Sequence, residues 1–359
     1  MSKYSRFVIL IAVVLLCGCV AGENSTQPTT QEGLTPLLTT RTPTAGMLSI
    51  PSSPTCTVTT ADIPAETVTS SISGMTAMPE ATTLSESPTP AMTPTLAPRA
   101  WRMAPVIPAS VSQHMIEIYA LGQSLGNNPH AFSKVGDCQS MPPDFLSDFD
   151  NGRYNLGDYT YLQPVVDYFF GSFGRYSRSS KDGLTASAAL ATLWNDWRDC
   201  NVQETPLECE YRLNRPSYAI ISLGTNDANG LLPFEDTLRR VIDVTLEQGI
   251  VPILVTKADD AEGDWSINAT IFRLAYEYQI PVWNFWLAVQ PLPEHGLRSP
   301  EHLTYGEYTL PCDFSKVENM QYAFNMRNLT ALQVLDVVWR AVTGQPASAF
   351  TPTPVTYLP

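Results

Sequence analysis

The sequence has little positive charge. Lys and Arg together number 21 in 359 residues, against 35 Asp and Glu, which gives a net charge of −14. A chain this acidic lacks the basic surface that nucleic-acid phosphates require, so no nucleic-acid partner is expected. The seven cysteines contain no C-x-x-C pair, which excludes the usual zinc-ribbon and thioredoxin-like patterns. Neither a metal nor a cofactor is therefore predicted.

The N-terminus has the pattern of an export signal. A basic start precedes an apolar run of ten residues, Phe7 to Leu16, which is too short to span a bilayer. The run ends in Leu16-Cys17-Gly18-Cys19, which resembles a bacterial lipobox. The resemblance implies a signal peptide over 1–18 and a lipid on Cys19, which would anchor the protein at the extracellular face of the cell membrane. The alternative is an ordinary secretory signal that is cut elsewhere.

The next segment, residues 19–100, is dominated by Thr, Pro, Ser and Ala and has no hydrophobic period. Such a tract cannot bury enough apolar surface to offset its chain entropy. We therefore predict a disordered, partly extended stalk over 19–100, a folded domain over 101–343 and a disordered tail over 344–359.

The folded domain alternates patterns of strands and helices. Tyr218–Leu223, bounded by a proline and a glycine, and Val251–Val255 are continuous apolar runs typical of buried parallel strands. This rhythm predicts one doubly wound α/β domain with a parallel sheet of about five strands, whose sites lie beyond the carboxyl ends of the strands. The other predicted strands are Phe132–Val135, Ser172–Tyr176 and Val282–Trp286, and the predicted helices are Val111–Leu125, Tyr159–Phe170, Thr185–Trp197, Phe234–Gln248, Asp264–Gln279 and Asn325–Val342.

Three loops carry the residues of chemical interest. They read Gly136-Asp137-Cys138-Gln139-Ser140, Gly224-Thr225-Asn226-Asp227 and Gly296 to Leu303. In this order and spacing they resemble the SGNH (GDSL-type) hydrolases, and the likeness covers about Phe132 to Val342. The resemblance implies a flavodoxin-like three-layer α/β/α sandwich and the hydrolysis of carboxylic esters.

The resemblance also implies roles for single residues. Cys138 stands where the family has its nucleophilic serine, Asn226 matches the asparagine that donates to the oxyanion, and His302 matches the general base. A helix N-terminus at Cys138 would lower the pKa of its thiol and favour a thiolate–imidazolium pair. The supporting positions are Asp137, Gly224 and Glu301, with Gly183 or Ala186 as a weakly matched backbone donor to the oxyanion.

Two departures from the family pattern leave alternatives open. The serine has become Cys138, and the position three residues before His302, where the family has its acid, is Ser299. Glu301 or a backbone carbonyl could hold the imidazole instead. The same residues also allow Cys138 to be buried or bonded to Cys312, Ser140 to be the nucleophile, and His295 to be the base, while Asp227 is expected to be a structural cap.

Two further cysteines, Cys200 and Cys209, bracket a polar loop. Export implies an environment that permits disulfides, so a disulfide between them is predicted.

Three functions fit these patterns. The first is a cell-surface lipoprotein that cleaves acyl esters of glycans or lipids, or small-molecule esters. The second is a catalytically inactive binding or scaffold lipoprotein of the same fold, and the third is a thiol-dependent acyltransferase.

Overall fold

The computed structural model describes residues 97, 99–230, 232–306 and 310–348. The predicted signal peptide, Cys19, nearly all of the stalk and most of the tail lie outside these residues. The strands are β1 (Asn128–Gly136), β2 (Pro216–Ser222), β3 (Val251–Val255) and β4 (Val282–Trp283). The α-helices are α1 (Gln113–Ser124), α2 (Ser147–Asp150), α3 (Gln163–Tyr168), α4 (Ala186–Ala189), α5 (Pro206–Asn214), α6 (Phe234–Glu247), α7 (Ser266–Glu277), α8 (Phe285–Val289) and α9 (Ala323–Thr343).

These four strands form one parallel sheet in the order β1-β2-β3-β4. Val135 of β1 lies opposite Ile221 of β2, and Ile221 lies opposite Leu254 of β3. Helices pack on the sheet in two groups, α1 with α3 and α9, and α4 with α5, α6 and α7. The described residues therefore have the predicted α/β architecture, and the carboxyl ends of all strands meet at one edge.

Helix α6 shows why the longer elements form where they do. Leu238, Val241 and Ile242 recur at helical spacing and are buried, and α6 packs on β3, all of whose residues are buried. Acidic residues in its first turn complement the helix dipole. The helix ends before Gly249, whose φ of +65° is the left-handed conformation that stops a helix at little cost for glycine.

The predicted strand Ser172–Tyr176 is wrong. The Asp150 carboxylate accepts hydrogen bonds from the backbone N–H groups of Gly171 and Gly174, each at 2.7 Å. These amides are therefore not available for a strand ladder. Side chains join this stretch to β1 instead: the Ser172 hydroxyl donates to His130 O at 3.1 Å, and the Arg175 guanidinium donates to Phe132 O at 2.7 Å.

Three other predicted elements differ from the structure in their bounds or helix type. The last strand ends at Trp283 because the Asn284 side chain accepts from the N–H of Leu287 and begins α8. The predicted helix Thr185–Trp197 stops at Ala189 and resumes only as a 3-10 turn at Thr192–Trp194. The predicted helix Tyr159–Phe170 is a 3-10 segment, Gly157–Leu162, followed by α3.

None of the described helices is long and apolar enough to cross a bilayer.

The predicted disulfide is present, between Cys200 and Cys209. The segment that it closes is not only a polar loop, because Cys209 lies on α5. A capping box begins that helix: Thr205 accepts from the Glu208 N–H, and the Glu208 carboxylate accepts from the Thr205 N–H. The Thr-Pro-Leu-Glu sequence was a readable signal for this helix, which the sequence prediction missed.

Removing this disulfide should destabilise the fold. Cys200→Ala frees a loop with a sequence separation of 9, and chain-entropy arguments give a loss of about 2–3 kcal/mol in the free energy of unfolding. Urea denaturation without reductant measures the change. The control is Cys138→Ala, which removes an exposed free cysteine. Equal stabilities of the two variants would contradict the prediction.

Candidate active site

Cys138 lies on a sharp turn at the carboxyl end of β1. The Asp137 carboxylate accepts from the Gln139 N–H at 2.9 Å and begins a single 3-10 turn, Cys138–Ser140. Cys138 is exposed and free, whereas Cys312 is free but fully buried in the hydrophobic core. The alternatives in which Cys138 is buried or bonded to Cys312 are therefore wrong.

Ser140 faces into the protein. Its side chain is buried, and its hydroxyl accepts from the Arg327 guanidinium at 3.4 Å. A Cβ atom at Gly136 would overlap this hydroxyl, so glycine is required there for the turn to close. Since no substrate can reach its hydroxyl, the alternative that Ser140 is the nucleophile is wrong.

The electrostatic surroundings of Cys138 are unfavourable to a thiolate. Partial burial, together with the negative charges of Asp137 and Asp182, raises the pKa of the Cys138 thiol to about 12. The expectation that a helix N-terminus would lower this pKa is wrong, because one 3-10 turn has little dipole to set against two carboxylates. The thiol is thus protonated at neutral pH, and a preformed thiolate–imidazolium pair is not present.

Asn226 is held close to this turn. Its Nδ2 donates to Asp137 Oδ2 at 3.3 Å, and one amide hydrogen remains for a ligand. The neighbouring Thr225 hydroxyl donates to Asp259 at 2.8 Å, which ties the loop after β2 to the segment after β3. Gly224 has a φ of +132°, and a Cβ there would lie 2.7 Å from Ile267, so only glycine allows this path.

A tight turn at residues 181–184 is bonded to the end of β1, just before Cys138. The Lys181 N–H donates to Gly136 O, and the Leu184 N–H donates to Lys181 O, both at 3.1 Å. Gly183 has the positive φ, +70°, that the third position of a type II turn requires. Among the described residues, the N–H groups of Gly183 and Cys138 have no hydrogen-bond acceptor.

Ala186 cannot serve as an oxyanion donor. Its N–H donates to Asp227 Oδ1 at 2.9 Å, so this part of the sequence prediction is wrong and Gly183 remains as the candidate. Asp227 is nearly buried, and its Oδ2 has no hydrogen-bond partner among the described residues. Burial raises the pKa of Asp227 to about 6. Its contact with Ala186 fits the expected role as a structural cap.

His302 is exposed on a loop that reaches the Cys138 turn. Its Nδ1 is hydrogen-bonded to the Ser299 hydroxyl at 2.9 Å, while the nearest Glu301 oxygen is 4.0 Å from Nδ1. Gln139 Nε2 donates to Glu301 O at 2.9 Å and fastens the two loops together. Within the described residues, no hydrogen bond joins the Cys138 thiol to the imidazole, whose Nε2 is open. The rival base, His295, donates from Nδ1 to Gln290 O at 2.9 Å, and no contact among the described residues joins its ring to the Cys138 turn.

Arg327 is a functional candidate that the sequence prediction missed. Its guanidinium is buried beneath the turn and donates to the hydroxyls of Ser222, at 2.9 Å, and Ser140. No ion pair to it occurs among the described residues, and burial lowers its pKa to about 10. The acidic groups of Asp137 and Cys138, when ionised, act in the opposite direction and raise this pKa. The guanidinium carbon lies 4.7–5.3 Å from the ring centroids of Phe145, Trp283 and Phe285.

No protein-family model and no curated protein sequence matches the chain. Among solved structures, one match is a GDSL-like lipase from Bacteroides thetaiotaomicron, with a TM-score of 0.34 and 16% identity, covering 62% of this chain and 98% of that chain. Another is a catalytic mutant of an acetylxylan esterase from Geobacillus stearothermophilus, with a TM-score of 0.35 and 15% identity, covering 60% of this chain and 96% of that chain. Likenesses this distant establish neither a family nor a function.

Proposed function

We propose that the domain hydrolyses carboxylic esters at Cys138, on a protein that the sequence predicts to be lipid-anchored through Cys19 outside the cell. One observation carries the proposal. An exposed thiol lies near hydrogen-bond donors that have no acceptor in the described part of the chain, the N–H groups of Cys138 and Gly183, and near the amide of Asn226. Such a set is what the oxyanion of a tetrahedral intermediate requires.

The proposed reaction begins with attack of the Cys138 sulfur on the ester carbonyl carbon while His302 Nε2 removes the thiol proton. The oxyanion is held by the free donors, and the alcohol leaves as it takes that proton from His302. Water then attacks the thioester, again through His302, and releases the carboxylic acid and the free thiol. Because the pKa of the thiol is about 12, the proton must move during the attack rather than before it.

Ser299 takes the position of the acid in this scheme. In this scheme the Nδ1–H of His302 donates to its hydroxyl, 2.9 Å away, and Nε2 is the basic nitrogen. A neutral hydroxyl orients the ring but stabilises the imidazolium less than a carboxylate would. We therefore expect slow turnover. The same two features, a neutral orienting group and a thiol that resists ionisation, favour the second candidate function, a binding protein that has lost the chemistry.

Release of p-nitrophenol from p-nitrophenyl acetate by the full-length protein tests the proposal. Cys138→Ala should abolish the enzymatic rate, and His302→Ala should lower it at least about a hundredfold, as loss of a general base does. The matched control is His295→Ala, which should leave the rate unchanged because that ring is held by Gln290 O and has no contact with the Cys138 turn among the described residues. Equal rates for the wild type and Cys138→Ala would reject the esterase and leave the binding protein.

A further inference from the structure

A groove lies between α8, α9 and the segment that precedes α1. Its volume is about 1010 Å³, which is at the upper end of the range for small-ligand sites. None of the residues that line it belongs to the loops that carry Cys138, Asn226 and His302, so it is a second site and not part of the first. Most of the lining residues are apolar, among them Met103, Pro105, Val106, Leu287, Met326 and Val337.

Polar contacts at the end of β4 fix two walls of the groove to each other. The Asn284 side chain is fully buried and donates to the carbonyl oxygens of Trp101 and Ala104, each at 2.8 Å. Its backbone N–H donates to Val106 O at 3.0 Å. Because Asn284 also begins α8, the segment before α1 is held against that helix. A groove whose walls are fixed in advance loses little conformational freedom when a ligand enters.

The polar side chains that α9 contributes to the groove bond within the protein. The Thr330 hydroxyl donates to the carbonyl oxygen one helical turn before it, at 2.7 Å. Gln333 Nε2 donates to the Tyr161 hydroxyl at 2.8 Å. Arg340 Nε donates to the Asp336 carboxylate at 2.7 Å, so the carboxylate in the groove is neutralised by its own ion pair.

Arg102 also lines the groove, but its guanidinium has neither an ion pair nor a hydrogen bond with any described residue. The guanidinium carbon lies 5.1 Å from the ring centroid of Trp101 and 5.5 Å from those of Trp265 and Trp286. These cation–π contacts hold the charge in place, yet they offer its N–H groups no oxygen acceptor. Because Nε is itself buried, the Nη groups are the donors left for a ligand.

An unpaired cation in an apolar groove suits a ligand with one negative charge and a long apolar chain. A guanidinium matches a carboxylate in particular, because its N–H groups can donate to both carboxylate oxygens. A single carboxylate can meet this cation, whereas an anionic bilayer, with its many charges, is disfavoured by the net charge of −14.

We propose that this groove binds a fatty acid, whose carboxylate accepts from the Arg102 guanidinium and whose chain lies among the apolar side chains of α8 and α9. Binding at this groove involves no bond cleavage and uses none of the residues of the Cys138 site. The inference therefore goes beyond the proposed function and does not depend on it.

The test is calorimetric titration of the full-length protein with decanoate and with 1-decanol, which has the same chain length and no charge. We expect decanoate to bind at least about tenfold more tightly than 1-decanol. Arg102→Gln should weaken decanoate binding at least about tenfold and leave the affinity for 1-decanol unchanged, as loss of a charge-assisted hydrogen bond does. The matched control is Arg99→Gln, which removes an exposed arginine of the same segment that does not line the groove.

A second variant locates the bound chain. Ala109 is exposed and lines the groove, so Ala109→Trp fills part of the space while Arg102 is retained. We expect this variant to bind neither decanoate nor 1-decanol. It keeps the test decisive even if Arg102→Gln disturbs the tryptophan rings around it.

Several results would overturn the inference. They are the absence of decanoate binding, equal decanoate affinities for the wild type and Arg102→Gln, and binding that Ala109→Trp does not change. Decanoate binding only after deletion of residues 349–359 would mean that the groove is the site of the tail. Binding to phosphatidylcholine–phosphatidylglycerol vesicles that Ala109→Trp abolishes would make the groove a membrane contact. By contrast, decanoate binding without hydrolysis of p-nitrophenyl acetate would retain the groove and reject the esterase.

Discussion

At pH 7 Cys138 should carry about a thousandfold less thiolate than an ordinary cysteine. Its pKa is raised from 9.0 to about 12, and each unit changes the ionised fraction about tenfold. Alkylation by iodoacetamide, which requires the thiolate, should therefore become faster with pH beyond 9 without levelling. The greater nucleophilicity of a more basic thiolate recovers part of the rate but does not move the pH at which the profile levels. The measurement is the pH–rate profile, with Cys138→Ala as the background.

Asp182 gives this prediction a matched test. Its carboxylate is one of the two that disfavour the thiolate, and its side chain is at the surface. Asp182→Asn should lower the pKa of Cys138 and raise the alkylation rate at a given pH. Asp264→Asn, which removes an exposed carboxylate at the start of α7, should leave the profile unchanged. A profile that levels near pH 9 in the wild type would show that neither partial burial nor the two carboxylates raise the pKa of Cys138.

The longer strands and helices could be predicted from the sequence because the pattern of their own side chains determines their type and bounds. The strand Val251–Val255 was predicted with its bounds, and α6 to within one residue, since a buried apolar run or a helical stripe is sufficient there. Ser172–Tyr176 and Val282–Trp286 failed for a different reason. Polar side chains, those of Asp150 and Asn284, capture the backbone amides, and only the tertiary structure shows that they do.

The sequence predicts where the site residues lie better than it predicts their pKa values and hydrogen-bond partners. Strand ends of a parallel sheet converge, so the turn with Cys138 and the loop with Asn226 were expected together. The pKa of Cys138 depends on Asp182, which belongs to a loop whose course the pattern did not predict. Ala186 fails as a donor because a neighbouring carboxylate already holds its N–H, and no spacing rule reveals that.

Two substitutions of Arg327 should distinguish the contribution of its packing to stability from the contribution of its charge. Arg327→Ala should lower the free energy of unfolding by about 3–5 kcal/mol, because it empties the space among three aromatic rings and leaves the buried Ser140 hydroxyl and the half-buried Ser222 hydroxyl without their donor. Arg327→Met, which refills most of that volume, should cost much less. Urea denaturation measures both losses of stability. We expect the dependence of the free energy of unfolding on urea concentration to be the same in both variants.

The expected difference in stability between Arg327→Ala and Arg327→Met depends on the fact that Arg327 forms no ion pair with any described residue. If a buried arginine forms an ion pair with a carboxylate, replacing the arginine leaves that carboxylate buried and unpaired. Substitution by Met and by Ala would then both lower the free energy of unfolding strongly. Arg327 donates instead to serine hydroxyls, and Asp137 acts on it without an ion pair. Burial already raises the pKa of Asp137, so that group can take up a proton when the guanidinium is lost. Equal losses in the two variants would mean that the charge, and not the filled volume, stabilises the turn that carries Cys138.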